Sequence, residues 1–218
     1  MATISDNALE LLKKRYFIKG ETTPEQMFRR VANCIAQAEI KESRDYWEQK
    51  FYNCMNDLDF MPNSPALMNC GTEIKNYSAC FVIPVPDSMD GIFEAVKQAA
   101  LISKSGGGVG LSFSRLRPKD SIVGSTGGVA SGPISFMYPF NAMVECVKQG
   151  SKRRGALMGL LRVDHPDIEE FIRVKDDLTQ LTNFNLSVGV TDEFMNAVIN
   201  DTDFDLRFNN KVYRTLKA

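Results

Sequence analysis

The sequence predicts an α/β fold, with an N-terminal helical region followed by a mostly parallel sheet and its crossover helices. Over the first 60 residues, apolar residues recur at intervals of three and four, the spacing of amphipathic helices. Beyond them, short apolar runs alternate with amphipathic stretches, which is the order of strands and helices in α/β crossovers. The length of 218 residues allows one large domain or two small ones.

Composition and charge are those of an ordinary globular protein. Hydrophobic residues make up 44% and charged residues 24% of the chain, close to the average for such domains. With 26 Lys and Arg against 27 Asp and Glu, the chain lacks the basic excess of a nucleic-acid-binding protein. The start, MATISDNALELLKKRYF, has no apolar run of signal-peptide length. We therefore expect a cytoplasmic protein that binds neither nucleic acid nor membrane.

The N-terminal region, residues 1–60, is expected to be helical. Its middle helix has a clear start, because Thr23, Pro24 and Gln26 stand at the cap, first and third positions of a capping box. The apolar spacing predicts three helices, over Asp6 to Phe17, Thr23 to Ala38 and Ser43 to Asn56.

Residues 61–218 are expected to form the α/β part. The apolar runs predict strands at Cys80 to Pro84, Gly108 to Phe113, Ala156 to Val163 and Phe184 to Val190. The amphipathic stretches predict helices at Met89 to Ser103, Ile134 to Lys148, Pro166 to Lys175 and Asp192 to Ile199. The final FDLRFNNKVYRTL predicts a hairpin that turns at Asn209 and Asn210, since asparagine tolerates the positive φ of tight turns.

Between these elements lie loops whose composition is typical of ligand binding: PNSPALMNCG, SGGGVG, GSTGGVASGP and QGSKRRG. The triple glycine lets backbone N–H groups approach an anion, although it matches neither GxGxxG nor a P-loop. The stretch from Ser112 to Pro133 has the length of a functional loop. Gln149 to Ala156 carries three consecutive cations that can meet phosphates. Together the loops favour an anionic small ligand such as a nucleotide.

Cysteine and histidine usage restricts the chemistry. Five widely spaced cysteines without a CxxC fit neither a disulfide scaffold nor a structural zinc site. His165 is the single histidine, and its place before Pro166 favours a helix start over a catalytic role. By itself, Cys80 at the head of an apolar run is most simply a packing residue. The same interpretation applies to three cysteines in helical patterns, Cys34, Cys54 and Cys146.

The order of the motifs resembles a known family. The segments are LKKRYF, TPEQMFRRVA, PNSPALMNCGT, SACFVIPVPDSMDGIF, LISKSGGGVGLSFSRLRP, STGGVASGPISFM, QGSKRRGALMGLLRVDHPDIEEFI and NFNLSV. Together they resemble the N-terminal half of the large catalytic subunit of ribonucleotide reductase, and SACFVIPVPDSM and QGSKRRGA are most similar to the adenosylcobalamin-dependent class II enzymes. The resemblance implies the first half of a ten-stranded α/β barrel. That barrel replaces the ribose 2′-hydroxyl with hydrogen through a thiyl radical and a redox cysteine pair.

The resemblance also implies roles for individual residues. Cys80 matches the N-terminal cysteine of the redox pair, which thioredoxin-type dithiols re-reduce. Residues matching positions that bind the ribonucleotide substrate are Ser64, Ala79, Gly108, Arg153 and Arg154. Residues matching a deoxynucleoside triphosphate (dNTP) effector site at a homodimer interface are Asp87, Ser88, Met89, Lys104, Arg117 and Gln149. The helices from Met89 to Ser103 and from Ile134 to Lys148 would be the dimer helices.

The sequence also departs from the family pattern. Cys70 stands where the family's motif usually has alanine, so it looks like a substitution. The radical-bearing cysteine, the second redox cysteine and the family's active-site asparagine and glutamate belong to the C-terminal half of the family. We therefore expect this chain to be inactive alone. In one possible arrangement, a separate polypeptide supplies the other half. Two alternatives stay open: a class I large subunit, which needs no cobalamin, and a non-catalytic nucleotide-binding or dimerisation module.

Overall fold

The structure is a computed structural model that describes residues 4–124, 127–147 and 156–218. It divides into two compact units. The first takes in the chain up to Ala79 together with Ser105–Gly107, and the second takes in Cys80–Lys104 and Gly108–Ala218. The expected order, a helical region followed by a parallel sheet with helices, is confirmed.

The first unit is helical in its described part. Its helices are α1 (Asp6–Arg15), α2 (Pro24–Ala36), a 3-10 turn (Lys41–Ser43), α3 (Arg44–Asn56) and α4 (Ser64–Asn69). The amide half of the capping box at α2 forms as expected, because the Thr23 N–H donates to Gln26 Oε1 at 3.2 Å. The core of the unit is built from residues spaced three and four apart on α2, with α3 and α4 packed on them. Its buried members are Met27, Phe28, Val31, Ala32, Met55, Ala66, Leu67 and Cys70.

Helix α4 was not expected, since PNSPALMNCG has the composition of a loop. The side chain of Asn63 accepts a hydrogen bond from the Ala66 N–H at 3.0 Å and so caps the helix. Pro65 lies in the first turn, where its missing N–H costs no helical hydrogen bond. The loop prediction is therefore wrong for residues 64–69.

The second unit is built on a four-stranded parallel sheet in the part of the chain that the structure describes. The strands are β1 (Cys80–Pro84), β2 (Gly108–Ser112), β3 (Leu157–Arg162) and β4 (Phe184–Gly189), in spatial order β1-β2-β3-β4. The helices are α5 (Met89–Lys104), α6 (Gly132–Val147), α7 (Ile168–Arg173) and α8 (Asp192–Ile199). β2, β3 and β4 each pair with the strand that precedes them in the sequence, so the spatial order of the strands is the same as their order along the chain.

One face of this sheet is covered and the other is largely open. Val109, Leu111, Leu157 and Leu161 are buried in the core of the unit, and α5 packs against α6, β1 and β2. The alternate residues of the strands point to the opposite face. On that face Val82 is 85% exposed and Met158 is 42% exposed.

The chain's last elements form the expected hairpin. Strands β5 (Asp203–Phe208) and β6 (Lys211–Lys217) are antiparallel. Asn209 and Asn210 have φ values of 47° and 64°, the left-handed pair that a two-residue turn requires. No helix among the described residues is long and apolar enough to cross a membrane.

Candidate functional site

Cys80 and Gly108 begin adjacent parallel strands, and they are partners in the register of β1 and β2. Cys80 is an exposed free thiol. Because Gly108 has no side chain, nothing from that position covers the amino end of β2 beside the sulfur. The packing interpretation of Cys80 is therefore wrong, since an exposed residue at a strand start packs little apolar surface. It is also wrong for Cys54 and Cys146, which are exposed as well.

Two segments of the first unit directly precede these strand starts in the sequence. Ala79 comes immediately before Cys80, and Ser105–Gly107 comes immediately before Gly108. Within that unit, Asn76 Nδ2 donates to Ser105 Oγ at 2.8 Å, and Asn69 Nδ2 donates to the Asn76 carbonyl at 2.7 Å. These two amide side chains fix the segment that ends at Ala79.

Ser64 lies in the first turn of α4, in the first unit. Its half-buried hydroxyl is 3.0 Å from the Tyr16 hydroxyl, and either oxygen can donate. A hydroxyl that can act as donor or acceptor is suited to meeting a sugar hydroxyl. Tyr16 was not predicted, and no local signal in the sequence could have revealed it, because 48 residues separate it from Ser64.

Asp87 and Arg117 lie beyond the carboxyl ends of β1 and β2, at the opposite edge of the sheet from Cys80. Arg117 Nε donates to Asp87 Oδ2 at 2.8 Å, and the Arg117 backbone N–H donates to Asp87 Oδ1 at 3.3 Å. Both side chains are about one-third exposed, at 33% and 32%. The structure therefore brings together two residues that were predicted for the effector site.

Ser88 and Met89 lie at the start of α5. Ser88 Oγ accepts a hydrogen bond from the Gly91 N–H at 3.1 Å, which caps the helix. Met89 is 59% exposed, and Phe93, one turn later on α5, is 49% exposed. Close to Asp87 there are thus a helix start and exposed apolar side chains.

Lys104 is the last residue of α5 and is exposed. Since α5 has 16 residues, its two ends are about 22 Å apart at the helical rise per residue. Within one chain, Lys104 and Asp87 therefore do not meet on one small ligand. Three further predicted contacts, Gln149, Arg153 and Arg154, lie outside the described residues.

His165 is a structural residue. It is 1% exposed, its Nε2 is 2.9 Å from the Leu116 carbonyl oxygen, and its Nδ1 accepts from the Asp167 N–H at 3.1 Å. Burial lowers the pKa of His165, so the ring is neutral with its proton on Nε2. Both nitrogens are engaged, which leaves none for catalysis or for a metal.

Cys70 lies with Cys34 and Tyr77 inside the first unit. The Cys34 thiol is 3.4 Å from the Tyr77 hydroxyl. Burial, followed by the neighbouring Cys34, raises the pKa of Cys70 to about 12. A thiol with so high a pKa is a poor nucleophile, which agrees with its interpretation as a substitution without a chemical role.

Comparisons with known proteins cover nearly the whole chain. A family described as "Ribonucleotide reductase, barrel domain" matches residues 78–217, and one described as "Ribonucleotide reductase, all-alpha domain" matches residues 3–75. A protein of Thermoplasma acidophilum named "Vitamin B12-dependent ribonucleoside-diphosphate reductase" is 43% identical over 97% of this chain and 36% of its own length. A protein of the same name from Mycobacterium tuberculosis is 42% identical over 88% of this chain and 29% of its own length.

A third relative, the "Vitamin B12-dependent ribonucleotide reductase" of Streptomyces clavuligerus, is 34% identical over 93% of this chain and 25% of its own length. The chain thus spans from a quarter to just over a third of the length of these curated relatives.

Proposed function

The chain belongs to the ribonucleotide reductase large-subunit family, and from that premise we propose that it forms the N-terminal part of an adenosylcobalamin-dependent reductase. The proposed reaction converts ribonucleoside diphosphates to deoxyribonucleotides. The names of the two most similar relatives reported above support both the cofactor and the diphosphate substrate. The observation that carries the proposal is the exposed Cys80 thiol beside Gly108 at the amino ends of β1 and β2.

The proposed role of Cys80 is that of a reductant. It would supply one of the two thiols that are oxidised to a disulfide as the ribose 2′-hydroxyl leaves as water. A thioredoxin-type dithiol would then reduce that disulfide by exchange. An exposed thiol at a strand start is accessible to such a dithiol, whereas the buried Cys70 is not. The proposal places the protein in the cytoplasm, where such dithiols keep thiols reduced.

Binding of the substrate is proposed for residues at the two strand starts, for Ser64 of α4 and for two arginines of the QGSKRRG segment. Gly108 has no side chain and that of Ala79 is a single methyl group, so that the ribose and diphosphate can approach the backbone. Ser64 would offer a hydroxyl to the sugar. Arg153 and Arg154 are proposed to contact the substrate from the QGSKRRG segment, which is also proposed to relay the base identity of the effector to the substrate.

The corrin ring of adenosylcobalamin already holds its cobalt, so a protein would supply at most one axial ligand to the metal. The imidazole of His165 does not fit that role, because both of its nitrogens are already engaged. We therefore assign no cobalamin contact to the described part of this chain. The cofactor is proposed for the complete enzyme, and no step above depends on residues that bind it.

The topology supports the proposal that the sheet is part of a barrel. In a doubly wound sheet the strand order reverses at a switch point, whereas β1 to β4 follow one another without reversal. Successive addition in one direction is how parallel barrels are wound. The apolar Val82 and Met158 on the open face are suited to a barrel interior that further strands would close.

The length of α5 supports a homodimer with a shared dNTP site. Since Asp87 and Lys104 lie near opposite ends of α5, they can meet on one nucleotide only if two copies of the helix run antiparallel. A two-fold axis across α5 gives that arrangement. Asp87, Ser88 and Met89 of one protomer would then face Lys104 of the partner subunit. Arg117 and Gln149 belong to the same proposed site, and the exposed Phe93 supplies apolar contact.

The test is an assay of the enzyme isolated from its native source with every polypeptide that accompanies this chain. Reduction of cytidine diphosphate would be measured with a dithiol, with and without adenosylcobalamin. We expect activity that requires the cofactor. Activity without cobalamin that depends on a metal-bearing subunit would instead indicate class I. Effector binding without any reduction would indicate a nucleotide-binding module and would contradict the proposal.

A further inference from the structure

An arginine-lined cleft of about 360 Å³ lies in the second unit. Its walls come from the residues after β2, the end of β3 and the β5–β6 hairpin. Because β2 and β3 are parallel, this is the carboxyl edge of the sheet, opposite the edge at which Cys80 begins β1. The charged residues that line it are Arg115, Arg162, Asp164 and Arg207.

Two of the three arginines have no carboxylate partner among the residues that line the cleft. Arg162 does have one, because its Nε donates to Asp164 Oδ1 at 2.9 Å and its Nη2 donates to Oδ2. Arg115 is exposed, and its side chain makes no ion pair or hydrogen bond within the described ranges. Arg207 donates from Nη2 to Glu193 at 2.6 Å, but its buried Nε has no partner among the described residues.

The walls of the cleft are held by contacts that do not use these free donors. The Arg207 backbone N–H donates to the Asp164 carbonyl at 2.6 Å. His165 Nε2 bonds the carbonyl of Leu116, the residue after Arg115. The Phe208 ring packs edge-on against His165, with centroids 5.7 Å apart. The hairpin, β3 and the segment after β2 are thereby fixed relative to one another.

The charge of the cleft is positive. Asp164 is neutralised by Arg162, and burial lowers the pKa of His165, so that the ring carries no charge at neutral pH. Arg115 then contributes a full positive charge. Arg207 shares its charge with Glu193, which does not line the cleft. An anion is the complementary ligand.

We propose that this cleft binds the phosphate group of a small phosphorylated molecule through Arg115 and Arg207. A carboxylate can be satisfied by one guanidinium fork, whereas the three oxygens of a phosphate can take donors from two separate guanidiniums. The side chains of Asn209 and Asn210 at the rim add amide donors. A volume of about 360 Å³ lies within the usual range for small-molecule sites. This site is independent of the reductase chemistry proposed for Cys80.

The test measures binding of inorganic pyrophosphate to the 218-residue chain by calorimetry at constant ionic strength. We expect saturable binding, and we expect Arg115→Ala to weaken it at least tenfold. Arg115→Lys keeps the charge but loses the paired N–H donors of the guanidinium. Its affinity for pyrophosphate should therefore fall between those of the unmodified chain and of Arg115→Ala. Arg173→Ala is the matched control, because Arg173 is an exposed arginine of α7 that does not line the cleft. Its affinity should equal that of the unmodified chain.

Several outcomes would overturn the proposal. They are the absence of saturable binding, an equal loss in Arg115→Ala and Arg173→Ala, and tighter binding of citrate than of pyrophosphate. A loss in Arg117→Ala without one in Arg115→Ala would place the phosphate beside Asp87 instead. Thermal unfolding of each variant shows whether it is folded. Within the described part of the chain, the exposed Arg115 side chain has no hydrogen bond or ion pair whose loss would destabilise the fold. The Cys80 assays do not involve this cleft, so either proposal can fail alone.

Discussion

Arg117 and Asp87 form an ion pair that links the segment after β2 to the segment after β1. Asp87 accepts from both the guanidinium and the backbone N–H of Arg117, at 2.8 Å and 3.3 Å. Arg117 Nη2 also donates to the Asp87 carbonyl at 3.4 Å. The carboxylate therefore sets the position at which the long loop after β2 begins. Because this loop follows Arg117 of the proposed effector site, we call it the effector loop.

Replacing Asp87 by Asn should weaken dNTP binding to the complete enzyme by about tenfold, or ~1.4 kcal/mol, because the effector loop loses its anchor. The free energy of unfolding should fall by no more than about 1 kcal/mol, since the pair is partly exposed. Equilibrium dialysis with labelled dNTP and urea unfolding measure the two effects. Asp90→Asn, at an exposed position two residues into α5, is the control. Unchanged effector affinity in Asp87→Asn would remove Asp87 from the site.

Lys104→Ala should weaken binding of a triphosphate effector by about 1.5–3 kcal/mol, the contribution of a charge-assisted hydrogen bond to phosphate. Lys97→Ala, on the same helix and exposed, removes a lysine that pairs with Glu94 and should leave the affinity unchanged.

If Lys104 meets the effector bound to the partner subunit, mixed dimers provide a further check. A dimer of one Lys104→Ala chain and one Asp87→Asn chain should keep one intact site of two. Loss of both sites in that mixed dimer would show that the two residues act within a single chain.

The features that the sequence predicted are mostly local. The strand starts at Cys80 and Gly108 follow from apolar runs bounded by small residues, and the hairpin turn follows from the conformational tolerance of asparagine. Helix α4 was missed because proline, serine and asparagine occur both in loops and at helix starts. Only the Asn63 cap separates the two cases, and that contact is visible only in three dimensions.

Features assembled from distant segments could not be predicted from the residues alone. The arginine cleft combines Arg115, Arg162 and Arg207 from three separate elements, and no spacing in the sequence links them. The effector residues were predicted as one set, but the length of α5 separates Lys104 from Asp87. The length of a helix can be predicted from the sequence. Which residues of a second protomer its two ends would meet cannot, because that depends on how the two helices are aligned in a dimer.

Gly159→Ala should destabilise the second unit by about 1–3 kcal/mol, the usual cost of overpacking a core. A Cβ at Gly159 would lie 2.7 Å from Met137 Cε and 3.2 Å from Phe184 Cδ1, and Met137 is fully buried. Gly110→Ala is the matched control in the neighbouring strand, because its nearest contact would be an ordinary 3.7 Å. Urea unfolding of both variants should separate them. Equal stability would mean that Met137 has room to move.

The stability of the chain should decrease as the pH falls below about 6.5, because of His165. Burial lowers the pKa of the folded imidazole below its ordinary value of 6.5. The unfolded chain then binds a proton that the folded chain excludes, so the stabilisation is complete above pH 6.5 and is lost as the pH drops toward the lowered value. The slope is at most about 1.4 kcal/mol per pH unit. Burial raises the pKa of Asp167, and its protonation at lower pH acts in the opposite direction.

The His165 prediction has two measurements. Because the sequence has one histidine, its ring protons can be followed by NMR without ambiguity, and they should not titrate near pH 6.5 in the folded chain. His165→Gln keeps a donor for the Leu116 carbonyl and removes the titration. Its free energy of unfolding should therefore change less than that of the unmodified chain between pH 7 and pH 5.5. A ring that titrates normally would contradict the prediction.

Cys80→Ser should abolish multiple turnover in the complete enzyme while leaving dNTP binding intact. Serine is nearly isosteric but cannot form a disulfide, so no reducing equivalents can reach the substrate through position 80. Cys54→Ser is the matched control, since Cys54 is another exposed free thiol, on α3. Deoxynucleotide formation would be followed over many turnovers with a dithiol, and dNTP affinity would be measured on the same preparations. Sustained turnover in Cys80→Ser would show that the exposed thiol at the start of β1 is not the reductant.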